Sequence, residues 1–321
     1  MKRIAVLTSG GDAPGMNAAI RAVVRGALYH DMEVFGIERG YEGLMNGDFK
    51  EMTVSSVSDI MQRGGTTLKT ARSKRFMTPE GFQRAVDMLD NFKIEGLVVI
   101  GGDGSYQGGL ALSKIGKTVI GLPGTIDNDL SYTDYTIGFD TAVNTVLSAI
   151  GNIRDTSSSH ERGTVIEVMG RNCGDIALYA GLTGGAESIL IPEEPVDISK
   201  ICRTLIRGKN RGKMHSVILR AEGVEMSAEE LAKTITERTG IDIKIVVLGY
   251  IQRGGSPTAR DRMLASRTGY KAVELLLQEG MTSKAVGIKG DEIVYYDLEE
   301  ALNMPRTHDK YLMDLAEILS I

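Results

Sequence analysis

Short apolar runs alternate with amphipathic stretches along most of this chain, and this alternation constrains the fold more than any other feature. Runs of strand length occur at residues 34–37, 97–100, 119–122, 165–169, 189–191, 217–219 and 245–248. Segments with apolar residues at helical spacing lie between most of them, for example at residues 16–29, 80–91, 141–154 and 228–238. Strands that alternate with helices form largely parallel sheets with helices on their faces. The predicted fold class is therefore α/β.

The number of such units exceeds what one sheet usually holds, so we expect two domains. Each is predicted to be doubly wound (Rossmann-like) with a largely parallel sheet, and ligand sites are expected in the cleft between them. The divide is expected near Gly138, where a glycine-bearing loop region gives way to a long helical segment.

Composition disfavours several classes of partner. The net charge is −5 and the isoelectric point about 5.6, so neither nucleic acid nor an anionic membrane is expected as the main partner. No apolar run reaches about 18 residues, and the opening MKRIAVLTSGG predicts a first strand and no signal peptide. Cys173 and Cys202 are too few and too far apart for a disulfide framework or a zinc site. A cytoplasmic location with reduced thiols is the expectation.

Two glycine-bearing loops follow strand-like runs and are suited to binding phosphate groups. TSGGDAPG at residues 8–15 ends a strand and opens a helix, where backbone N–H groups and the helix dipole attract anions. It is neither a Walker A loop nor a Rossmann fingerprint, because no Gly-Lys-Ser/Thr follows and Asp12 stands where the second glycine belongs. In GGDGS at residues 101–105, Asp103 could hold Mg²⁺ and Ser105 could cap a helix or contact phosphate. Ordinary turns without a ligand are the alternative for both loops.

The segment PGTIDND at residues 123–129 places Asp127 and Asp129 directly after another apolar run. On an extended chain the two carboxylates would point to the same side, and one could accept a proton from an attacking hydroxyl. Together with Asp103 they would lie at one edge of an open sheet, as a phosphoryl-transfer enzyme requires. The alternative is an Asx-rich turn with no chemistry.

Four arginines suit anion binding. Arg72 and Arg171 carry planar guanidinium groups that could stabilise a transferring phosphoryl group. Arg21 and Arg25 lie four residues apart on one helix face, where two like charges repel unless an anion or carboxylate is near. Solvated surface positions remain the alternative for each of them.

Several long segments together resemble one enzyme family in sequence and in order. They are LTSGGDAPGMNAAIR (7–21), VVIGGDGSYQG (98–108), GLPGTIDND (121–129), IRDTSSSHER (153–162), EVMGRNCGD (167–175) and IQRGGSP (251–257). From end to end, the chain is similar to the bacterial ATP-dependent 6-phosphofructokinases of the short, allosteric, tetrameric type. The resemblance implies transfer of a phosphoryl group from Mg²⁺-ATP to the 1-hydroxyl of fructose 6-phosphate. It also implies ADP and phosphoenolpyruvate as effectors, a homotetramer, an ATP-binding domain at residues 1–138 plus about 251–305, and a fructose 6-phosphate-binding domain at 139–250 plus about 306–321.

The resemblance assigns roles to individual residues of this chain. The implied catalytic residues are Asp127 as general base with Arg72, Arg171 and Thr125 stabilising the transition state. The implied ATP-binding residues are Gly11, Arg72, Ser73, Gly102, Asp103, Gly104 and Ser105, with Asp103 at the metal. The implied substrate-binding residues are Thr125, Ile126, Asp127, Arg162, Met169, Gly170, Arg171, Glu222, Lys244, Tyr250 and Arg253. The implied effector-binding residues are Arg21, Arg25, Ser58, Asp59, Arg154, Gly185, Glu187, Arg211, Lys213 and His215.

The phosphoryl donor can also be inferred. Pyrophosphate-using relatives typically carry Asp and Lys where this chain has Gly104 and Gly124. Because side chains at these positions would crowd a nucleotide, the two glycines favour ATP.

The chain departs from the family pattern at three places. Lys244 replaces an arginine at the sugar phosphate, Tyr250 replaces a histidine, and Ser73-Lys74-Arg75 replaces the usual aromatic-Pro-Glu. Lysine keeps the charge but loses the bidentate donor geometry of arginine. These changes leave open two alternatives: a kinase for another sugar phosphate, such as tagatose 6-phosphate, and a weakly active regulatory paralogue. Val54, where some members carry arginine, weakens the expected effector contact.

The double substitution Lys244→Arg with Tyr250→His should strengthen binding of the sugar phosphate. We expect a lower KM for fructose 6-phosphate at a similar kcat, because the predicted catalytic residues are unchanged. Steady-state kinetics measures both constants, and an unchanged or raised KM would contradict this prediction.

Overall fold

The structure of the chain, a computed structural model, describes residues 1–320. The strands are β1 (Arg3–Thr8), β2 (Glu33–Ile37), β3 (Phe49–Glu51), β4 (Gly96–Gly101), β5 (Thr118–Thr125), β6 (Ile137–Gly138), β7 (Gly163–Val168), β8 (Ser188–Leu190), β9 (Ser216–Ala221), β10 (Ile243–Val247), β11 (Lys284–Lys289) and β12 (Glu292–Asp297).

Helices connect most of these strands. They are α1 (Met16–Tyr29), α2 (Gly40–Asn46), α3 (Pro79–Asn91), α4 (Asp103–Ser113), α5 (Phe139–Ser159), α6 (Asp175–Gly184), α7 (Ile198–Asn210), α8 (Ala228–Thr239), α9 (Ala259–Leu277), α10 (Leu298–Asn303) and α11 (Lys310–Leu319). Short 3-10 helices lie at Ser55–Val57, Arg75–Met77 and Gly249–Arg253. None of the helices in residues 1–320 combines the length and the apolar character that a membrane span needs.

The chain forms two compact units. Unit 1 consists of Met1–Ile126, Leu130–Thr141 and Arg253–Arg306. Unit 2 consists of Asp127–Asp129, Ala142–Gln252 and the residues from Thr307 onward. The ligand that each unit binds, and with it the predicted assignment of the domains, stays a prediction.

Each unit contains a largely parallel sheet. In unit 1 the strand order is β12-β11-β5-β4-β1-β2-β3, with β6 beside β5. Among the described strands of this sheet, β11–β12 and β2–β3 pair antiparallel and the others pair parallel. In unit 2 the order is β10-β7-β9-β8, and the described pairs are parallel. The predicted α/β class with largely parallel sheets is confirmed.

The strand orders locate a crevice at one edge of each sheet. In unit 1 the chain leaves β1 toward β2 on one side, whereas β4 lies on the other side. In unit 2, β7 lies between β10 and β9 in the same way. Ligands of open α/β sheets bind outside the carboxyl ends of strands at such reversals of order. The loops after β1 and β4, and those after β7, β9 and β10, are therefore the expected ligand-binding positions.

Local sequence signals explain where the helices begin and end. Helix α1 begins after Gly15, which adopts a φ of 104° that residues with a side chain rarely adopt. Helix α8 begins after Ser227, whose side chain accepts a hydrogen bond from the Glu230 N–H, and ends at Gly240 in the left-handed region. Both helices bury an apolar face, as their predicted periodicity requires.

A group of buried tyrosines supports the loop after β4. The Tyr41 hydroxyl donates to the Ser105 carbonyl at 2.6 Å, and the hydroxyls of Tyr106 and Tyr132 are 2.7 Å apart. Burial raises the pKa of all three phenols, so they remain neutral. Gly108 is required here, because a Cβ on it would lie 2.7 Å from the Tyr41 ring. The buried tyrosines thus hold the first turn of α4 in place from the side of the core.

A buried carboxylate holds the start of α5. Asp261 accepts hydrogen bonds from the Gly138 N–H at 3.0 Å and from the Thr141 N–H at 2.8 Å. It also accepts one from the Thr141 hydroxyl at 2.5 Å. Burial nevertheless raises the pKa of Asp261 to about 6, since its cost to the charged form exceeds the gain from these bonds.

Asp261→Asn should flatten the pH dependence of stability. The raised folded-state pKa means that the native state holds this proton more tightly than the unfolded chain, so its contribution to stability falls as pH rises toward 6 and beyond. Relative to Asp261→Asn, the parent chain should lose on the order of 2 kcal/mol of unfolding free energy between about pH 4.5 and 7.5. Urea unfolding across this range measures the difference. Asp309→Asn, at an exposed helix start, is the control, and parallel curves for all three proteins would contradict the prediction.

Candidate active site

The first loop of unit 1 lies against the end of β4. The Ser9 N–H donates to the Ile100 carbonyl at 3.0 Å, and Gly10 has a φ of 87°. A Cβ on Gly11 would lie 2.1 Å from the guanidinium of Arg253, which donates to the Asp12 carbonyl. The structure therefore places Arg253, predicted to bind substrate, beside the predicted nucleotide loop in unit 1.

The second glycine loop approaches the first one closely. A Cβ on Gly101 would lie 2.4 Å from the Ser105 hydroxyl oxygen and 2.6 Å from the Ser9 carbonyl oxygen. Ser105 is buried, whereas Asp103 is exposed as the first residue of α4. An exposed carboxylate among glycines at a helix start is a suitable ligand for an Mg²⁺ ion that also binds phosphates. A Cβ on Gly104 would meet open space.

The strand end at Thr125 completes this edge of unit 1. Thr125 is buried, and its side chain lies 3.6 Å from where a Cβ of Gly102 would be. A Cβ on Gly124 would lie 2.8 Å from Ile100 and 3.1 Å from Met16. Packing in unit 1 thus already requires glycine at position 124, whatever the phosphoryl donor is.

The segment that carries Arg72 is tied to the same edge. The Thr70 hydroxyl donates to the Gly10 carbonyl at 2.8 Å, and the Arg72 side chain is exposed. Ser73 and Arg75, where the chain departs from the family pattern, both contact the carboxylate of Glu42 in α2, at 2.6 and 3.2 Å. The altered segment is therefore held by its own polar contacts.

In unit 2 the Asp127 carboxylate forms an ion pair with Arg171. The Arg171 Nε is 3.2 Å from Asp127 Oδ2, and the two side chains are 50% and 2% exposed. The expectation of an extended chain from Asp127 to Asp129 is wrong. Strand β5 ends at Thr125, and Asn128 has a φ of 53°. Asparagine adopts this left-handed conformation more readily than most residues, so the chain turns sharply between the two aspartates.

The loop after β7 is held by side-chain acceptors on neighbouring elements. Glu222, directly after β9, accepts hydrogen bonds from the N–H groups of Gly170 and Arg171 at 3.2 and 2.9 Å. Gln252 is fully buried and accepts from the Met169 N–H at 3.1 Å, while its amide donates to the Gly249 carbonyl. Glu222 was predicted from sequence and Gln252 was not. These contacts bring the predicted Met169–Arg171 turn, Glu222 and Asp127 together in unit 2.

Asp242 links the two cations predicted for the sugar phosphate. Its carboxylate lies 3.2 Å from Arg162 Nε and 3.2 Å from Lys244 Nζ. Tyr250 is 83% exposed, in the turn after β10. Sequence reasoning missed Asp242. Its position two residues before Lys244 could have indicated it, because side chains two residues apart on an extended chain point to the same side.

The predicted effector residues are divided between the units. Arg21, Arg25, Ser58 and Asp59 lie in unit 1, and Arg154, Gly185, Glu187, Arg211, Lys213 and His215 lie in unit 2. Within unit 2, the Arg154 guanidinium donates to the carbonyls of Gly184 and Gly185, and Lys213 pairs with the buried Glu187. A cavity of about 580 Å³ opens beside Glu187 and Arg211.

Gly170→Ala should destabilise the protein strongly. Gly170 has a φ of 137°, and a Cβ there would lie 2.3 Å from the Cys173 carbonyl oxygen. Strain and overlap together should cost about 3 kcal/mol of unfolding free energy. Gly212→Ala is the matched control, since Gly212 has a φ of 83° but open space around it, and should cost about 1 kcal/mol. Thermal or urea unfolding compares the two, and equal effects would contradict the prediction.

Comparison with known proteins places this geometry in a family. The phosphofructokinase family profile matches residues 3–276. The ATP-dependent 6-phosphofructokinases of Clostridium tetani and of Clostridium botulinum strain Loch Maree are 62% and 61% identical to the chain over 320 residues, and the match covers 100% of each protein. The solved structure of phosphofructokinase from Saccharomyces cerevisiae matches 94% of this chain with a TM-score of 0.89 and 37% identity. The chain spans 45% of that longer yeast chain. The chain belongs to the phosphofructokinase family.

Proposed function

We propose that the protein transfers the γ-phosphoryl group of ATP to the 1-hydroxyl of fructose 6-phosphate, which yields fructose 1,6-bisphosphate and ADP. The observation that carries the proposal is the buried Asp127 carboxylate in contact with Arg171. The full-length similarity to clostridial enzymes named ATP-dependent 6-phosphofructokinase supports it. As the committed step of glycolysis, the reaction fits a cytoplasmic enzyme.

Asp127 is proposed as the general base. It accepts the proton of the 1-hydroxyl as the hydroxyl oxygen attacks the γ-phosphorus atom, and such a base contributes roughly 10²- to 10⁴-fold to the rate. During the same step, Arg171 shifts its contact from the Asp127 carboxylate to the equatorial oxygens of the phosphoryl group that is being transferred. Arg72 and the Thr125 hydroxyl stabilise the same charge, because planar guanidinium donors match spread negative charge well.

The donor half of the reaction is assigned to unit 1, and the acceptor half to unit 2. Gly11, Ser73, Gly102, Gly104 and Ser105 are proposed to hold ATP, with Arg72 beside its phosphates. Asp103 would hold Mg²⁺, which neutralises charge on the β- and γ-phosphates when it is bound. Glycine at position 104, which has no side chain to crowd a nucleotide, supports ATP over pyrophosphate as donor.

Sugar-phosphate binding is proposed for Arg162, Lys244, Tyr250 and Arg253, with Ile126, Met169, Gly170 and Glu222 around the sugar. A homotetramer is proposed as well, in which Arg162 and Lys244 serve a neighbouring subunit. Val247, Tyr250 and Ile251 are 60%, 83% and 56% exposed, and large apolar groups exposed together often become covered by a partner chain.

Allosteric control by ADP and phosphoenolpyruvate is proposed for the effector residues. Lys213 and Arg154 offer cationic donors, and the cavity beside Glu187 and Arg211 offers room. The Arg25 Nε is a buried donor that lacks a partner among the described residues, so an anion could satisfy it.

An aldolase-coupled assay with ATP, Mg²⁺ and fructose 6-phosphate tests the proposal. We expect saturable turnover that falls roughly 10²- to 10⁴-fold in Asp127→Ser, because the base is lost. Asp87→Ser, on the outer surface of α3, is the matched control and should retain full activity. Pyrophosphate should not replace ATP.

Two results would redirect the assignment. Turnover with tagatose 6-phosphate that exceeds turnover with fructose 6-phosphate would favour the alternative substrate. Turnover no higher than in Asp127→Ser would favour a regulatory paralogue.

A further inference from the structure

The segment that carries Asp127 is held from one loop at two points. Arg171 contacts the Asp127 carboxylate, and Asp175, four residues further along, accepts a hydrogen bond from the Asn128 side-chain amide at 2.8 Å. Asn128 is 9% exposed. The first contact joins charged groups, whereas the second joins an amide to the carboxylate that begins α6. The two contacts therefore respond differently to a bound substrate.

The Asp175 end of this loop is firmly anchored. The Gly174 N–H donates to Glu193 Oε1 at 3.0 Å, and a Cβ on Gly174 would lie 2.3 Å from Ile191. A carboxylate at a helix N-terminus is stabilised by the helix dipole, and a hydrogen bond to a charged acceptor is stronger than one between neutral groups. Asp175 is thus a fixed acceptor for Asn128.

The hydrogen bond from Asn128 to Asp175 also stabilises the left-handed conformation of Asn128. At a φ of 53° the residue occupies a conformation that costs most side chains about 1–2 kcal/mol. The conformation of residue 128 sets the direction of the chain next to Asp127. The bond to Asp175 therefore stabilises both the turn and the direction from which the Asp127 carboxylate is presented.

We infer that Asp175 is a positioning residue that, through Asn128, keeps the Asp127 carboxylate in place while Arg171 contacts the transferring phosphoryl group. The inference rests on the proposed function, in which Arg171 leaves Asp127 during the reaction. At that stage the Asn128–Asp175 hydrogen bond continues to restrain the segment that carries the base.

Three single variants and the double variant Asn128→Gly/Asp175→Ala test this role kinetically. Asn128→Gly keeps the left-handed conformation accessible but removes the amide, and Asp175→Ala removes the acceptor. Each should lower kcat about 10- to 100-fold with KM values within about threefold of the parent, because a small misplacement of a reacting group costs up to about 10²-fold. Asp175→Asn retains an acceptor oxygen and should restore kcat to within about threefold. The double variant should be no slower than the slower single variant, since one shared interaction is lost.

A matched control separates positioning from general destabilisation. Asp309→Ala removes an aspartate that caps α11, also in unit 2, and should lower the melting temperature about as much as Asp175→Ala with kcat unchanged. A fall in kcat in the double variant that equals the product of the two single falls would overturn the inference. So would a change in kcat or KM in Asp175→Ala that Asp175→Asn fails to reverse.

A structural measurement decides the matter independently of turnover. Crystal structures of the parent and of Asp175→Ala with bound fructose 6-phosphate and a non-hydrolysable ATP analogue, whose γ-phosphate can draw Arg171 away, should show the Asp127 carboxylate ordered in the first and displaced or disordered in the second. An unchanged Asp127 carboxylate in Asp175→Ala would overturn the inference even if the protein is a fructose 6-phosphate kinase. If the parent enzyme shows no turnover, the proposed function fails, and the position of Asp127 in the two structures still decides the role of Asp175.

Discussion

The parallel alignment of β1, β4 and β5 is the constraint on which the arrangement of unit 1 depends. It brings the ends of three strands to one edge, where Ser9, Gly101 and Ser105 approach so closely that a single added Cβ would overlap its neighbours. Backbone N–H groups at such an edge can reach phosphate oxygens that side chains would otherwise block. Buried tyrosines behind α4 keep the edge rigid.

Unit 2 builds its site by a different physical means. The exposed Glu222 and the buried Gln252 accept hydrogen bonds from backbone N–H groups of the loop after β7, so this loop is shaped by side chains of neighbouring elements. An unsatisfied backbone donor is costly where water cannot reach it, so the fully buried Gln252 is the more important of the two acceptors. The loop that carries Arg171 is therefore held partly by Gln252, which is not proposed to contact a substrate, and partly by Glu222, which is.

Sequence reasoning predicted the elements whose signal is local and missed the contacts that depend on the fold. Helix α1 and most parallel strands could be predicted because their apolar residues recur at a regular spacing or in short runs along the sequence. The left-handed turn at Asn128, the bridge formed by Asp242 and the role of Gln252 could not, since each depends on a partner that only folding brings near. The antiparallel β11–β12 hairpin was also missed, although β11 is largely buried and both strands carry short apolar stretches.

The packing around Gly124 has an evolutionary consequence. The family resemblance implies lysine at this position in relatives that use pyrophosphate, yet here Ile100, Met16 and the Gly101 backbone nitrogen lie 2.8, 3.1 and 3.2 Å from where its Cβ would be. A lineage that exchanged ATP for pyrophosphate would first have to change those two core residues or shift the backbone at Gly101. At Gly104, where the space is open, the corresponding aspartate could arise without such preparation. The order of substitutions along that path is thus set by the hydrophobic core.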